Sequence, residues 1–308
     1  MRPWYLAPAL AAGLLCLTGC EYADFGDFER FSRDFHYSYP LHANGKLSVE
    51  TFNGSVEIST WDRDTVDISG TKYGPTQEAA DNLKITIDNS PDAVSVRVPR
   101  PIERRNHQGA KFVVKIPKSA IPDRITSSNG AIRISGGVGP ARLHTSNGQI
   151  VATAFHGQLD AQTSNGSIEL IDVDGDVVAH SSNGRIRAER LQGALQASTS
   201  NSSVHAEILH VERPVHVETS NGPVELFLPP DFNRDLRVNT NNGSITVRLP
   251  AAINAHILAR TSNSSITTDF DVRMQGEMNR NHLDATIGAG GPLLDLSTSN
   301  GSIRLLKM

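Results

Sequence analysis

The sequence predicts an all-β chain folded as a single-stranded β-solenoid (β-helix), with stacked coils of about 18–21 residues. Three observations predict it. A unit of the form Thr/Ser-x-Asn-Gly-x-Ile recurs ten times, with its asparagine at Asn53, Asn129, Asn147, Asn165, Asn183, Asn201, Asn221, Asn242, Asn263 and Asn300. From Asn129 to Asn201 the spacing is 18 residues at every step, and it then runs 20, 21, 21 and 37. Around each asparagine, apolar and polar side chains alternate with period two, which marks a strand with one buried face.

Each part of the unit has a reason. Two places before the asparagine stands Thr or Ser in every copy, and three places after it stands Ile or Val, from Val56 and Ile132 to Ile303. The inward set returns before the corner, as in Leu159 with Ala161 or Val215 with Val217. A second glycine follows ten places after the asparagine in four successive copies, at Gly139, Gly157, Gly175 and Gly193. One unit is therefore two short strands and two bends. Asn-Gly also suits a two-residue hairpin turn, which would make the chain an antiparallel meander. The solenoid is preferred because about twenty strands in a meander would have to close into a wide, hollow barrel. The strands are also shorter than the ~9–11 residues of a membrane barrel, and successive units do not differ in kind as propeller strands would. Stacking further explains why asparagine itself recurs: one amide can bond to the next up the stack. Replacing a buried mid-stack asparagine such as Asn165 by Ala is then expected to cost about 1–3 kcal/mol, and a terminal one such as Asn300 less.

Residues 1–19 read as a targeting segment. Arg2 is its one charge, Leu6 to Leu17 is apolar but too short to span a bilayer, and it ends in Leu17-Thr18-Gly19-Cys20. That ending resembles the bacterial lipobox. The resemblance implies cleavage before Cys20, acylation of Cys20, and attachment to a membrane through the N-terminal lipid; the alternative is an ordinary secretory signal with a chance cysteine. Glu21 in place of Asp favours the outer over the inner membrane. Cys16 would leave with the signal, so no disulfide is expected in the processed chain. Without Arg2 the chain carries 28 basic against 33 acidic residues, a net −5, which argues against nucleic acid as a partner.

Residues 20–40 hold seven of the seventeen aromatic residues and are expected to be a tether or a cap for the open end of the core. Residues 41–308 are read as one solenoid domain. Its first part, 41–128, is irregular, with one short helix expected between Pro75 and Leu83 and room for about four coils between Asn53 and Asn129. Residues 129–270 are the regular repeats, 271–293 a break that is either a coil without its motif or a bulging loop, and 294–308 the coil that closes the stack.

The part from about Leu41 onward resembles the bacterial "putative adhesin" domain family of unknown function. The residues that carry the resemblance are Leu47 to Val56 with Trp61 after them, the iterated Ser-Asn-Gly-x-Ile units, and the finish from Gly290 to Ile303. It implies a β-solenoid and no particular chemistry. Ser202 and Ser264 depart from the pattern by replacing the corner glycine, which is expected to require a relaxed backbone or a small left-handed penalty there.

Candidate chemistry is sparse. Asp172, Asp174 and Asp176 around Gly175 are spaced unlike an EF-hand loop and read better as a solvated corner. His144 and His180 are two coils apart, ~9.6 Å, too far to share a metal. Glu169, Arg187 and Arg133 share one outward position and read as salt bridging along a face. There is no Gly-x-Ser-x-Gly elbow. No catalytic residue, metal or cofactor is therefore expected. Arg100, Arg104, Arg105 and Lys111 form a candidate basic binding loop for an acidic envelope polymer or protein. The reading is a lipid-anchored envelope protein that binds a protein or glycan partner or serves as a support. The alternatives are a polysaccharide-active β-helix enzyme and an accessory of envelope-stress signalling.

Overall fold

The computed structural model describes residues 31–100, 108–274 and 279–308. Two long sheets, of 13 and 14 strands, face each other, and each coil contributes one strand to each. Within the stack, neighbouring strands are parallel and in register: Leu159–Thr163 lies between Ala141–Thr145 and Val177–Ser181, and Ile168–Asp174 between Ile150–His156 and Ile186–Gln192. The hairpin alternative is thereby excluded. Ile168, Leu170 and Val173 of one sheet meet Leu159 and Ala161 of the other in a single continuous apolar core.

The corner between the two strands owes its sequence to stacking. The Thr or Ser two places before each asparagine is buried in all ten coils. In a typical coil, the Thr163 hydroxyl donates to the carbonyl of Gly148 one coil below (3.0 Å) and accepts from the Gly166 N–H of its own coil (3.2 Å). Without this hydroxyl, a buried carbonyl and a part-buried N–H would have no protein partner, which is costly inside a protein. The corner glycine serves close approach and not handedness, since among these glycines only Gly54 has a positive φ. A methyl group on Gly166 would lie 1.7 Å from the Gly148 carbonyl oxygen. The expected left-handed penalty at Ser202 and Ser264 is not found, because neither has a positive φ. Ser202 still presents its carbonyl to Thr219 at 3.0 Å.

The asparagines form a ladder outside the core. From Asn147 upward each side-chain amide donates to the amide oxygen of the asparagine one coil below it, at 2.7–2.8 Å, and Asn129 donates likewise to Asn53, whose own amide donates to the Gln108 carbonyl. All but Asn53 are exposed, so water can replace a lost partner. The ladder exists as expected, but not as the buried element that would justify the larger cost. The second bend differs from the first. Gly157, Gly175 and Gly193 have φ of 132°, 149° and 141°, and in each coil the residue three places earlier (Ala154, Asp172, Arg190) is also left-handed, at φ 52–54°. That kink resets the alternation, so that Phe155, Val173 and Leu191 turn inward.

Both ends of the stack depart from the expected order. Lys46–Thr51 and Val56–Trp61 pair directly with Ile121–Ser127 and Ile132–Ser135, so the coils of Asn53 and Asn129 are neighbours. The residues between them do not form four coils. They make one further coil-like level, Ala93–Arg97 with Gly109–Pro117, on the other side of the Asn53 coil. They also supply the antiparallel strands Thr65–Gly74 and Thr86–Ser90 and a short helix, Gln77–Asp81, capped by Thr76. The strand Phe31–Pro40 then pairs antiparallel with Thr65–Gly74 and ends that sheet, with the Phe35 ring 5.3 Å from Phe112.

At the other end, the final coil does not close the stack. Leu293–Thr298 and Ile303–Lys307 insert between the coil of Leu236–Leu249 and that of Ala255–Thr268. Asn300 accordingly bonds to both Asn242 and Asn263 and is an interior rung. The break is a bulge whose strands Val272–Met274 and His282–Ile287 pair antiparallel and cover the edge of Ala255–Thr261. Antiparallel strands lie at both edges of the 14-stranded sheet and at the N-terminal edge of the 13-stranded one, where they protect the parallel stack from pairing with further chains; the remaining edge is the short parallel strand Ile266–Thr268.

Two measurements test this packing. Thr163→Val should lower stability by about 1–3 kcal/mol in urea unfolding, because it strands the buried Gly148 carbonyl and the part-buried Gly166 N–H, and Asn165→Ala by about 0.5–1.5 kcal/mol; the reverse order would make the exposed ladder the stronger element. A chain ended at Pro292 lacks an interior coil. Hydrogen exchange should then show loss of protection across 255–268 while 141–208 keeps it, and unchanged protection across 255–268 would refute the inserted order.

Candidate functional site

The corner residues are used up in holding the coils together, so chemistry has to come from outward strand positions and from departures from the repeat. Cys20, Arg104 and Arg105 lie outside the described residues. Of the remaining basic-loop candidates, Arg100 is exposed beyond the strand Ala93–Arg97. Lys111 is not in a loop: it is an outward residue of the strand Gly109–Pro117, opposite Thr71. Arg100 and Lys111 therefore leave from strands of opposite sheets.

The acidic corner resolves into separate ion pairs. Asp172 accepts two hydrogen bonds from Arg190, at 2.5 and 2.7 Å, between residues that are both left-handed. Asp174 faces His156 at 3.5 Å, and Asp176 pairs with Arg213 and accepts from the Ala194 N–H. The three carboxylates thus point to three different partners. His180 bonds Ser198 at 2.6 Å. Of the row expected to pair along a face, Arg133 does reach Glu57 across the stack, at 3.5 Å, but Arg187 pairs with Glu189 of its own strand instead.

A feature missed in the sequence lies on the outer face of the 13-stranded sheet. A concavity of about 550 Å³ opens over the strands Ile186–Gln192, Val204–His210, Val224–Phe227, Ile245–Leu249 and Ile303–Lys307. In-register pairing sets Arg187, His205, Glu225, Thr246 and Arg304 in one row across them. Ser203, Pro223 and Ser244 line it beside that row, with Arg185 at one end. Phe227 sits between His205, 5.5 Å between ring centroids, and the Arg248 guanidinium, 5.2 Å from the ring centroid. Glu225 is the carboxylate lining the concavity, and both His205 (3.3 Å) and Arg248 (3.4 Å) share it. The signal was present as Arg or His at the fourth place after several asparagines, but Arg304 joins the row only because its coil is inserted there.

With this geometry in hand, the comparisons with known proteins place the chain. Residues 44–306 match the family described as Toastrack DUF4097, and the chain belongs to that family. A search of curated proteins found no significant match. Among solved structures the chain is similar to a "putative cell adhesion protein" from Clostridium sporogenes, at 13% identity and a TM-score of 0.24, covering 90% of this chain and 100% of that one. It is also similar to a "putative adhesin" from Bacteroides fragilis, at 14% identity and a TM-score of 0.31, covering 90% and 97%.

Two ion pairs give the solenoid a pH signature. Hydrogen bonding to Arg190 holds the Asp172 carboxyl below its usual range, so this pair adds stability above the ordinary carboxylate pKa and loses it as pH falls through the depressed value. Hydrogen bonds to Asp231 and then Glu212 raise the His210 imidazole above its ordinary value, so its contribution is full below about pH 6.5 and fades as pH rises through the raised value. His210→Asn should therefore lower the thermal midpoint at pH 5.5 and have almost no effect at pH 9. A deficit of equal size at both pH values would show that the ion pair is not its source.

Proposed function

We propose that this chain is a lipid-anchored protein of the bacterial envelope that presents the outward face of its solenoid for adhesion-like contact or support, without catalysis. One observation carries the reading. The polar residues that the repeat preserves, the corner Thr or Ser and the asparagine, are engaged in bonds between coils, which makes them structural and leaves the outward rows as the variable surface. A scaffold that buries its repeated positions and varies its outer ones is suited to presenting a surface. The Leu17-Thr18-Gly19-Cys20 sequence supports the anchor. Attachment that resists washing needs two or more acyl chains, since each buried methylene contributes only about 0.8 kcal/mol.

Cys20→Ser tests the anchor. The wild-type chain should partition into detergent and label with a fatty-acid analogue, whereas the variant should lose the label and either remain unprocessed or be released into the soluble fraction. A variant that is still processed and still needs detergent would refute a lipid on Cys20.

A further inference from the structure

The row from Arg187 to Arg304 crosses five adjacent strands, and at ~4.8 Å per strand it is roughly 19 Å long. Arg185, Arg187, Arg248 and Arg304 line the trough against the single carboxylate of Glu225. Arg187 is partly neutralised by Glu189 and Arg248 by Glu225. Arg185 and Arg304, at opposite ends, have no acidic partner among the described residues. The whole chain carries a net charge of −4, so a cationic trough is a local reversal of its field.

We propose that this trough binds a linear polysaccharide bearing carboxylates. Planar guanidinium forks recognise carboxylates in two-point fashion, and the two unpartnered forks stand far enough apart to hold different sugars of one chain. The trough is open and long where a site for a small molecule would be enclosed. It lies on the face of a sheet whose backbone N–H and C=O groups already pair with neighbouring strands, so an acidic peptide could not add as a strand. Recognition there falls to side-chain charge, with the half-buried Phe227 ring, between the His205 ring and the Arg248 guanidinium, as an apolar surface beside the lining residues. The proposal rests on the outward face being the contact surface and is independent of the anchor at Cys20.

The test is calorimetric titration of the full chain in neutral detergent with hexagalacturonate at low salt. Wild type should bind, and Arg185→Glu with Arg304→Glu should weaken binding at least tenfold while the thermal midpoint is unchanged. Arg124→Glu with Arg142→Glu, on the opposite sheet, makes the same change in net charge and should leave binding as it was. The fully methyl-esterified hexamer should not bind, hexaglutamate should bind at least tenfold more weakly, and raising the salt severalfold should weaken the wild-type complex. Absence of binding to wild type, equal loss in both double variants, or equal affinity for hexaglutamate would each overturn the proposal. The anchor is read separately by fractionation of Cys20→Ser, so failure of one reading leaves the other standing.

Discussion

The structure depends on one hydroxyl group per coil. At each corner the chain must turn from one sheet to the other; the N–H groups of residues such as Ser164 and Asn165 still donate to the Ser146 carbonyl of the coil below, but the glycine N–H and carbonyl find no backbone partner. In the glycine corners from Gly130 onward the Thr or Ser hydroxyl bridges the gap, giving its proton to the carbonyl of the coil below and accepting from the glycine N–H of its own coil. Where glycine stands at the corner, an added Cβ would meet the carbonyl of the coil below, so glycine suits the close approach; at Ser202 and Ser264 the Thr199 and Thr261 hydroxyls still donate to the Gly184 and Gly301 carbonyls. Hydroxyl and glycine are a matched pair in the seven corners where the glycine N–H donates to that hydroxyl. The asparagine ladder beside them is regular but wet, and it aligns the corners more than it stabilises them.

A stack built this way has a problem at its ends, since each terminal coil offers a sheet edge and an unfilled core. The chain solves it by leaving its own order. Near the N-terminus it makes the Asn53 coil, passes to a level beyond it, and returns on the other side; near the C-terminus it makes the Asn263 coil, adds an antiparallel hairpin, and returns to fill the level in between. Coils at both ends are thus bracketed by segments distant in sequence. Such contacts have to wait for long loops to close, so the central repeats, whose neighbours are one coil away, are expected to order first.

The outward surface follows from the same register. Positions equivalent in the repeat become neighbours about 4.8 Å apart, so a residue type that recurs along the chain becomes a row across the sheet. Where the row mixes signs it makes ion pairs such as Arg190 with Asp172. Where cations accumulate, as from Arg185 to Arg304, it makes a trough. The fold alone assigns no activity, and the chemistry lies in what these rows present.

The sequence by itself determined the solenoid, its ten corners and the inward set, because a period-two pattern repeated every 18 to 21 residues has few other ways to bury one face. It also marked the corner hydroxyls, present in every copy, and the short helix begun by Thr76. Three things were decided only in three dimensions. Nine of the ten asparagines proved exposed; periodicity separates inward from outward positions along strands but says nothing of a corner. The corner glycines proved to answer to a carbonyl one coil away, which no local propensity reports. The order of the end coils proved different from the order of the chain. A repeat specifies that units stack but not which unit lies next to which, and only the filling of the core and the covering of sheet edges places the Asn300 coil between those of Asn242 and Asn263.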